Sequence, residues 1–140
     1  MKNIKLKLSI LLVFMLSSII LFGSCQTVNE QENEEKEKSE IEEAREELLS
    51  AYEELQKEVD DRILEIDKRI DDASDELREE MESTREELIE ERKQLEKEID
   101  EIEDASRDTW EEVSAAAEET YDSVSDSVRE IAEDIEEWFE

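Results

Sequence analysis

Cys25 is the only thiol in the chain, and no histidine accompanies it. A lone cysteine can act as a nucleophile or accept a covalent group. Which of these it does depends on what surrounds it. Here it directly follows Leu21-Phe22-Gly23-Ser24, at the end of a mostly apolar run from Leu8 to Phe22 that Lys2, Lys5 and Lys7 precede. The remaining candidates for chemistry are carboxylates, 47 aspartates and glutamates in 140 residues. Acid/base pairs among them need a closed site that moves their pKa values apart. Without an imidazole base, and with the thiol taken up as described below, an enzyme is the poorest expectation.

A positive start, an apolar stretch and small residues at a processing point are the three parts of a secretory signal. The run from Leu8 to Phe22, diluted by Ser9, Ser17 and Ser18, falls short of the roughly 20 apolar residues that span a bilayer. The lysines mark the cytoplasmic side, so the rest of the chain is expected to be exported. Leu21-Phe22-Gly23-Ser24-Cys25 resembles the lipobox of bacterial lipoproteins, with Phe22 where that pattern usually has leucine. The resemblance implies cleavage between Ser24 and Cys25, acyl chains such as palmitate on Cys25, and a membrane anchor. One acyl chain holds weakly at about 0.8 kcal/mol per buried methylene, whereas several anchor stably. Gln26 stands where aspartate is associated with inner-membrane retention in that family. The resemblance therefore favours the outer membrane, on its periplasmic or surface side.

Without residues 1–24, the remaining 116 residues carry 47 acidic and 14 basic side chains, a net of −33, with no proline or glycine. Such a charge disfavours nucleic acid as a partner. Composition alone fits a disordered tail or a long helix; periodicity decides. Steps of eleven from Ala44 reach Leu55, Ile66, Leu77, Leu88, Ile99, Trp110, Tyr121 and Ala132, all apolar. Eleven residues in three turns describe one narrow stripe on a helix. The predicted fold is therefore all-α: residues 1–24 as signal, 25–38 as a lipidated flexible tether, and 39–140 as an acidic coiled-coil region.

With no glycine, proline or asparagine in residues 34–140 to make a turn, a continuous or gently kinked helix is expected. The alternative is a helical hairpin that breaks at Asp104–Thr109. Capping boxes are read at Ser39-Glu40-Ile41-Glu42 and at Thr109-Trp110-Glu111-Glu112. The unbroken phase from Ile99 to Trp110 argues against that break. A narrow stripe needs a second helix. Leu55, Ile66, Leu77, Leu88, Ile99, Trp110 and Tyr121 are thus the expected helix-partner seam, filled by a parallel homo-oligomer or another helical partner. Thr84, Glu91, Arg92 and Ser106 interrupt it. Asp71-Asp72-Ala73-Ser74-Asp75 lacks the glycine and ligand spacing of a calcium loop and reads as a solvated face. No metal, cofactor or small-molecule substrate is expected.

From Asp108 onward there are thirteen acidic residues and one base, Arg129. Trp110, Tyr121, Trp138 and Phe139 gather there and read either as seam fillers or as a docking surface. The segment from Ile102-Glu103-Asp104-Ala105-Ser106-Arg107-Asp108-Thr109 through Trp110-Glu111-Glu112-Val113 to Tyr121 is similar to small acidic coiled-coil bacterial proteins described as stress-response proteins. That likeness implies fold and stress-linked expression, and no active site. A second resemblance is to the murein lipoprotein type. That family attaches to the wall through a C-terminal lysine, where this chain has Trp138-Phe139-Glu140, so wall attachment is not expected. The expected function is a lipid-anchored, self-associating scaffold of the cell envelope. The alternative is an acidic module that recruits divalent cations or basic partners under stress. A charge of −33 opposes compaction, so circular dichroism should show helicity rising on acidification or on addition of Ca²⁺ or Mg²⁺.

Overall fold

The computed structural model describes residues 28–140. The signal segment, Ser24 and Cys25 lie outside the described residues, as does the start of the expected tether. The elements are α1 (Val28–Arg69), a 3₁₀ turn (Ile70–Asp72), α2 (Asp75–Asp104) and α3 (Trp110–Glu137). Every element among the described residues is helical, as the sequence predicts. Residues 28–38, expected to be tether, belong to α1, so Ser39 lies inside a helix and does not begin one.

The single long helix is not what forms: the chain turns back twice, and Glu34–Glu140 is one packed unit. Asp67 pairs with Arg85, Asp60 with Arg92 at 3.1 Å, and Gln56 donates to Glu96 at 3.4 Å. Partner numbers rise along α2 as they fall along α1, so the two helices are antiparallel. Arg45 lies over the Trp110 ring, Tyr52 reaches Ala117 and Tyr121, and Arg69 lies over Phe139. There both numbers rise together, so α3 runs parallel to α1, and it also packs on α2. The result is an up-down-up bundle of three helices.

The first turn was hidden in the stretch read as a solvated face. Ser74 caps α2 by accepting from the Leu77 amide at 3.4 Å, and Asp75 and Glu76 follow in the first turn. Carboxylates there face the positive end of the helix dipole. The turn that follows α1 is gathered by one side chain, Arg78, although the Ile70 carbonyl also accepts from the Ala73 amide at 3.3 Å. Its guanidinium donates to the carbonyls of Ile70, Asp71 and Ala73 at 3.2–3.3 Å. The second turn falls at the place the hairpin alternative named. Thr109 is the N-cap of α3, but its hydroxyl does not cap; it turns back to Ser106, whose amide donates to it at 3.0 Å. Arg45 and Arg107 tie this turn to α1 through the Ala105 carbonyl and Glu37.

Within each helix the buried positions recur by seven rather than eleven. In α1 they are Ile41, Leu48 and Leu55, with Tyr52, Val59 and Ile66; in α2, Met81, Leu88, Leu95 and Ile102; in α3, Trp110, Ala117, Val124 and Ile131, with Val128 and Ile135. Seven residues in two turns keep one stripe facing neighbouring helices. The steps of eleven that fall on Leu77 and Trp110 are the ones that cross the two turns. The core runs the length of the unit and includes Tyr52, Met81, Leu88, Leu95 and Ile102 with no solvent exposure. Leu88→Ala should therefore destabilise by about 2–5 kcal/mol. Leu64→Ala, at a side chain 50% exposed, should stay within about 0.5 kcal/mol. Chemical denaturation of both variants checks the contrast.

Candidate functional site

The seven residues expected to form a seam with a partner helix all join one core inside this chain. Leu55, Ile66, Leu88 and Trp110 are buried, while Leu77, Ile99 and Tyr121 are partly buried and pack against them. Their covering helices come from the same chain. Trp110 and Tyr121 therefore act as core residues, and Trp138 is partly buried against the same core. Phe139 remains exposed beneath the Arg69 guanidinium, 4.3 Å from its ring centroid.

The middle of the seam carries the polar groups. The Tyr52 side chain is fully buried, its hydroxyl donates to the Ala117 carbonyl 65 residues away, and its ring meets Tyr121 at 5.9 Å and 52°. One side chain thus fixes the height of α3 against α1. Burial, with the Glu98 charge second, pushes the Tyr52 hydroxyl well above the ordinary phenol range. Tyr121 moves the same way, by burial and by Glu54, Glu58 and Asp122.

Two carboxylates lie on α2, one heptad apart. Glu98 is 8% exposed, and one of its oxygens is shielded from water without a hydrogen-bond partner. Glu91 also has one such oxygen. Its pKa is raised chiefly by burial and further by Glu87, against a lowering hydrogen bond from Ser127 of α3. Glu118 on α3 is raised by burial and by Asp122. The interruption of the stripe at Glu91 was visible in the sequence. Arg92, read with it as a seam residue, instead faces outward and pairs with Asp60. Glu98, Tyr52, Arg45 and Arg78 were not singled out. A count by sevens from Glu91 and Ile66 would have reached Glu98 and Tyr52.

Among the described residues, Tyr52, Tyr121, Glu91 and Glu118 are all shifted toward their protonated forms, with burial the largest cause in each. Among the described residues no three acidic, histidine or cysteine side chains converge as metal ligands. Asp71, Asp72 and Asp75 are spread around the first turn, where Arg78 lies 3.9 Å from Asp75 and donates to the Asp71 carbonyl. No family model matches the chain, and neither the curated proteins nor the solved structures contain a match.

A carboxyl whose folded pKa is raised binds its proton more tightly in the folded state than in the unfolded chain. Its contribution is fully present below the ordinary carboxylate range and is lost as pH rises through the raised value. Stability should therefore increase on acidification from neutral pH. Glu91→Gln should flatten that increase, and Glu90→Gln at an exposed position should not. The buried tyrosines work the same way at high pH: the bundle should loosen above about pH 10, the ordinary phenol value. Thermal unfolding followed across pH tests both limbs.

Proposed function

We propose that this protein is a lipid-anchored spacer or scaffold of the bacterial cell envelope, held to a membrane through Cys25 and associating with further copies of itself. The observation that carries the reading is the division of labour in the folded unit. The apolar stripe is spent on an internal core, so what faces water is a largely acidic surface. In α3 that surface holds eleven acidic residues and a single base, Arg129. Phe139 lies beside Arg69, the last residue of α1. A membrane-facing role for the helices themselves fits poorly, because helices that lie on anionic lipid present Lys and Arg. None of the described helices is long and apolar enough to cross a membrane.

The strongly acidic α3 supports a second reading, in which this helix faces basic partners or divalent cations during stress. The two readings differ in what they need. A spacer needs the anchor, the bundle and neighbouring copies, whereas a recruiting module needs a ligand that changes its state. Cross-linking in membranes followed by recovery of the adducts separates them.

The anchor is tested directly. Cys25→Ala should abolish fatty-acid labelling and move the protein from the membrane to the soluble fraction with its helicity unchanged. Persistent membrane association together with fatty-acid incorporation would refute the anchor.

A further inference from the structure

The three helices are not held to one another in the same way. Asp60–Arg92 at 3.1 Å, Asp67–Arg85 and Gln56–Glu96 lie between α1 and α2, and Arg78 gathers the turn that joins them. The first half of α3 is tied to α1 by Arg45 over the Trp110 ring and by the Tyr52 hydroxyl on the Ala117 carbonyl. The second half, residues 121–137, closes through Val124, Val128, Ile131 and Ile135, all buried. It carries seven acidic residues and one base, Arg129, which pairs with Asp126 of the same helix at 2.9 Å.

Glu91 of α2 meets this second half from within the seam. It takes a hydrogen bond from Ser127 of α3, and one of its oxygens is shielded from water without a partner. The charges around it are spent elsewhere or repel it. Glu87, one turn earlier on α2, repels. On α1, the register set by Asp60–Arg92 and Asp67–Arg85 puts Glu58, Asp61, Arg62 and Glu65 near this height, and Arg62 is paired with Glu65 at 3.0 Å. On α3, Asp126 and Arg129 hold each other. A carboxylate ionised in this place loses hydration on an oxygen that has no donor. Opening the seam on the α3 side returns water to it.

We propose that Glu91 is a proton-operated latch for the second half of α3. With the carboxyl neutral, residues 121–137 lie closed on the bundle. With it ionised, this half-helix opens as a local unit while the α1–α2 pair and the start of α3 stay packed. The direction follows from linkage: a carboxyl that binds its proton more tightly when docked favours docking at low pH. The docked-to-open ratio then falls as pH rises, by at most about tenfold for each pKa unit between the two states. The open form is a minor population, because it uncovers four buried aliphatic side chains. Its consequence is that the apolar face of this half-helix becomes reachable only as the surroundings turn less acidic.

Amide hydrogen exchange detects rare local opening and provides the test. The full chain, solubilised in detergent, is followed by mass spectrometry between about pH 5 and about pH 8, with rates divided by those of unstructured peptides. Protection over residues 121–137 should fall as pH rises, about tenfold per unit of pKa difference, while α1, α2 and residues 110–120 keep theirs. Glu91→Gln should hold the segment at its acid-form protection at every pH, and Glu90→Gln, at an exposed position, should leave the profile unchanged. Ser127→Ala keeps the carboxyl and removes its donor, so it should deepen the loss at the upper pH; circular dichroism confirms that each variant folds. Protection lost equally along all three helices would overturn the latch and leave only a pH-dependent global stability. A profile that Glu91→Gln and Ser127→Ala both leave unchanged would overturn it by assigning the effect to another group. Protection independent of pH would overturn it too, with Arg62, whose Nε is shielded without a partner, as the group that compensates the charge.

Discussion

The structure depends on one constraint: a narrow apolar stripe must be covered by helices whose remaining surface is polar and strongly acidic. Covering it from within a single chain requires reversals, because one helix cannot shield its own stripe. Two five-residue connections supply them. Three stripes then meet along one core from Ile41 to Ile135. Apart from groups such as Glu91, Glu98 and Glu118, the acids are left at the surface, where water screens their mutual repulsion, and cross-helix pairs such as Asp60–Arg92 add register. Exposed pairs of this kind contribute little energy, about 0–1 kcal/mol each. Their value here is in placing α2 at one height along α1.

The polar contents of the core follow from the same constraint. A three-helix seam must be filled at every level, and at the levels of Glu91 and Glu98 the chain presents carboxylates instead of aliphatic groups. A buried acceptor without a donor costs stability, and one oxygen of each of these two carboxylates is shielded in that way. Tyr52 lies at the same level, its ring against Tyr121 and its hydroxyl on the Ala117 carbonyl. The Tyr52 contact between α1 and α3 therefore stands beside Glu98 of α2, whose charge acts on its hydroxyl.

Much of this was legible beforehand. The helical class follows from periodicity, and Leu55, Ile66, Leu88 and Trp110 were recognised as seam residues because apolar side chains stand out against so many charges. The second turn was named only in the hairpin alternative, at Asp104–Thr109, because Thr109-Trp110-Glu111-Glu112 reads as a capping box. The first turn was missed because Asp71-Asp72-Ala73-Ser74-Asp75 reads equally well as an exposed helical face. Its decisive contact is Arg78, whose guanidinium gathers three carbonyls, and a side chain folding backward over a turn leaves no periodic trace. The repeat of eleven misled for a related reason. Spacings of four and seven belong to both periods, so the two part company only where the helix stops.

The amino-acid sequence by itself determined that the described chain is helical, that one stripe of it must be covered, and which side chains make that stripe, because these follow from local propensity and spacing along a single helix. Only the tertiary structure decided what does the covering. Whether a stripe meets a second chain or returns to meet itself depends on the conformations of a few residues such as Ala73, Ser74 and Ala105. For those residues the helical and extended values of ψ are both open, and the choice is settled by contacts with residues distant in sequence, such as that of Arg45 with the Ala105 carbonyl.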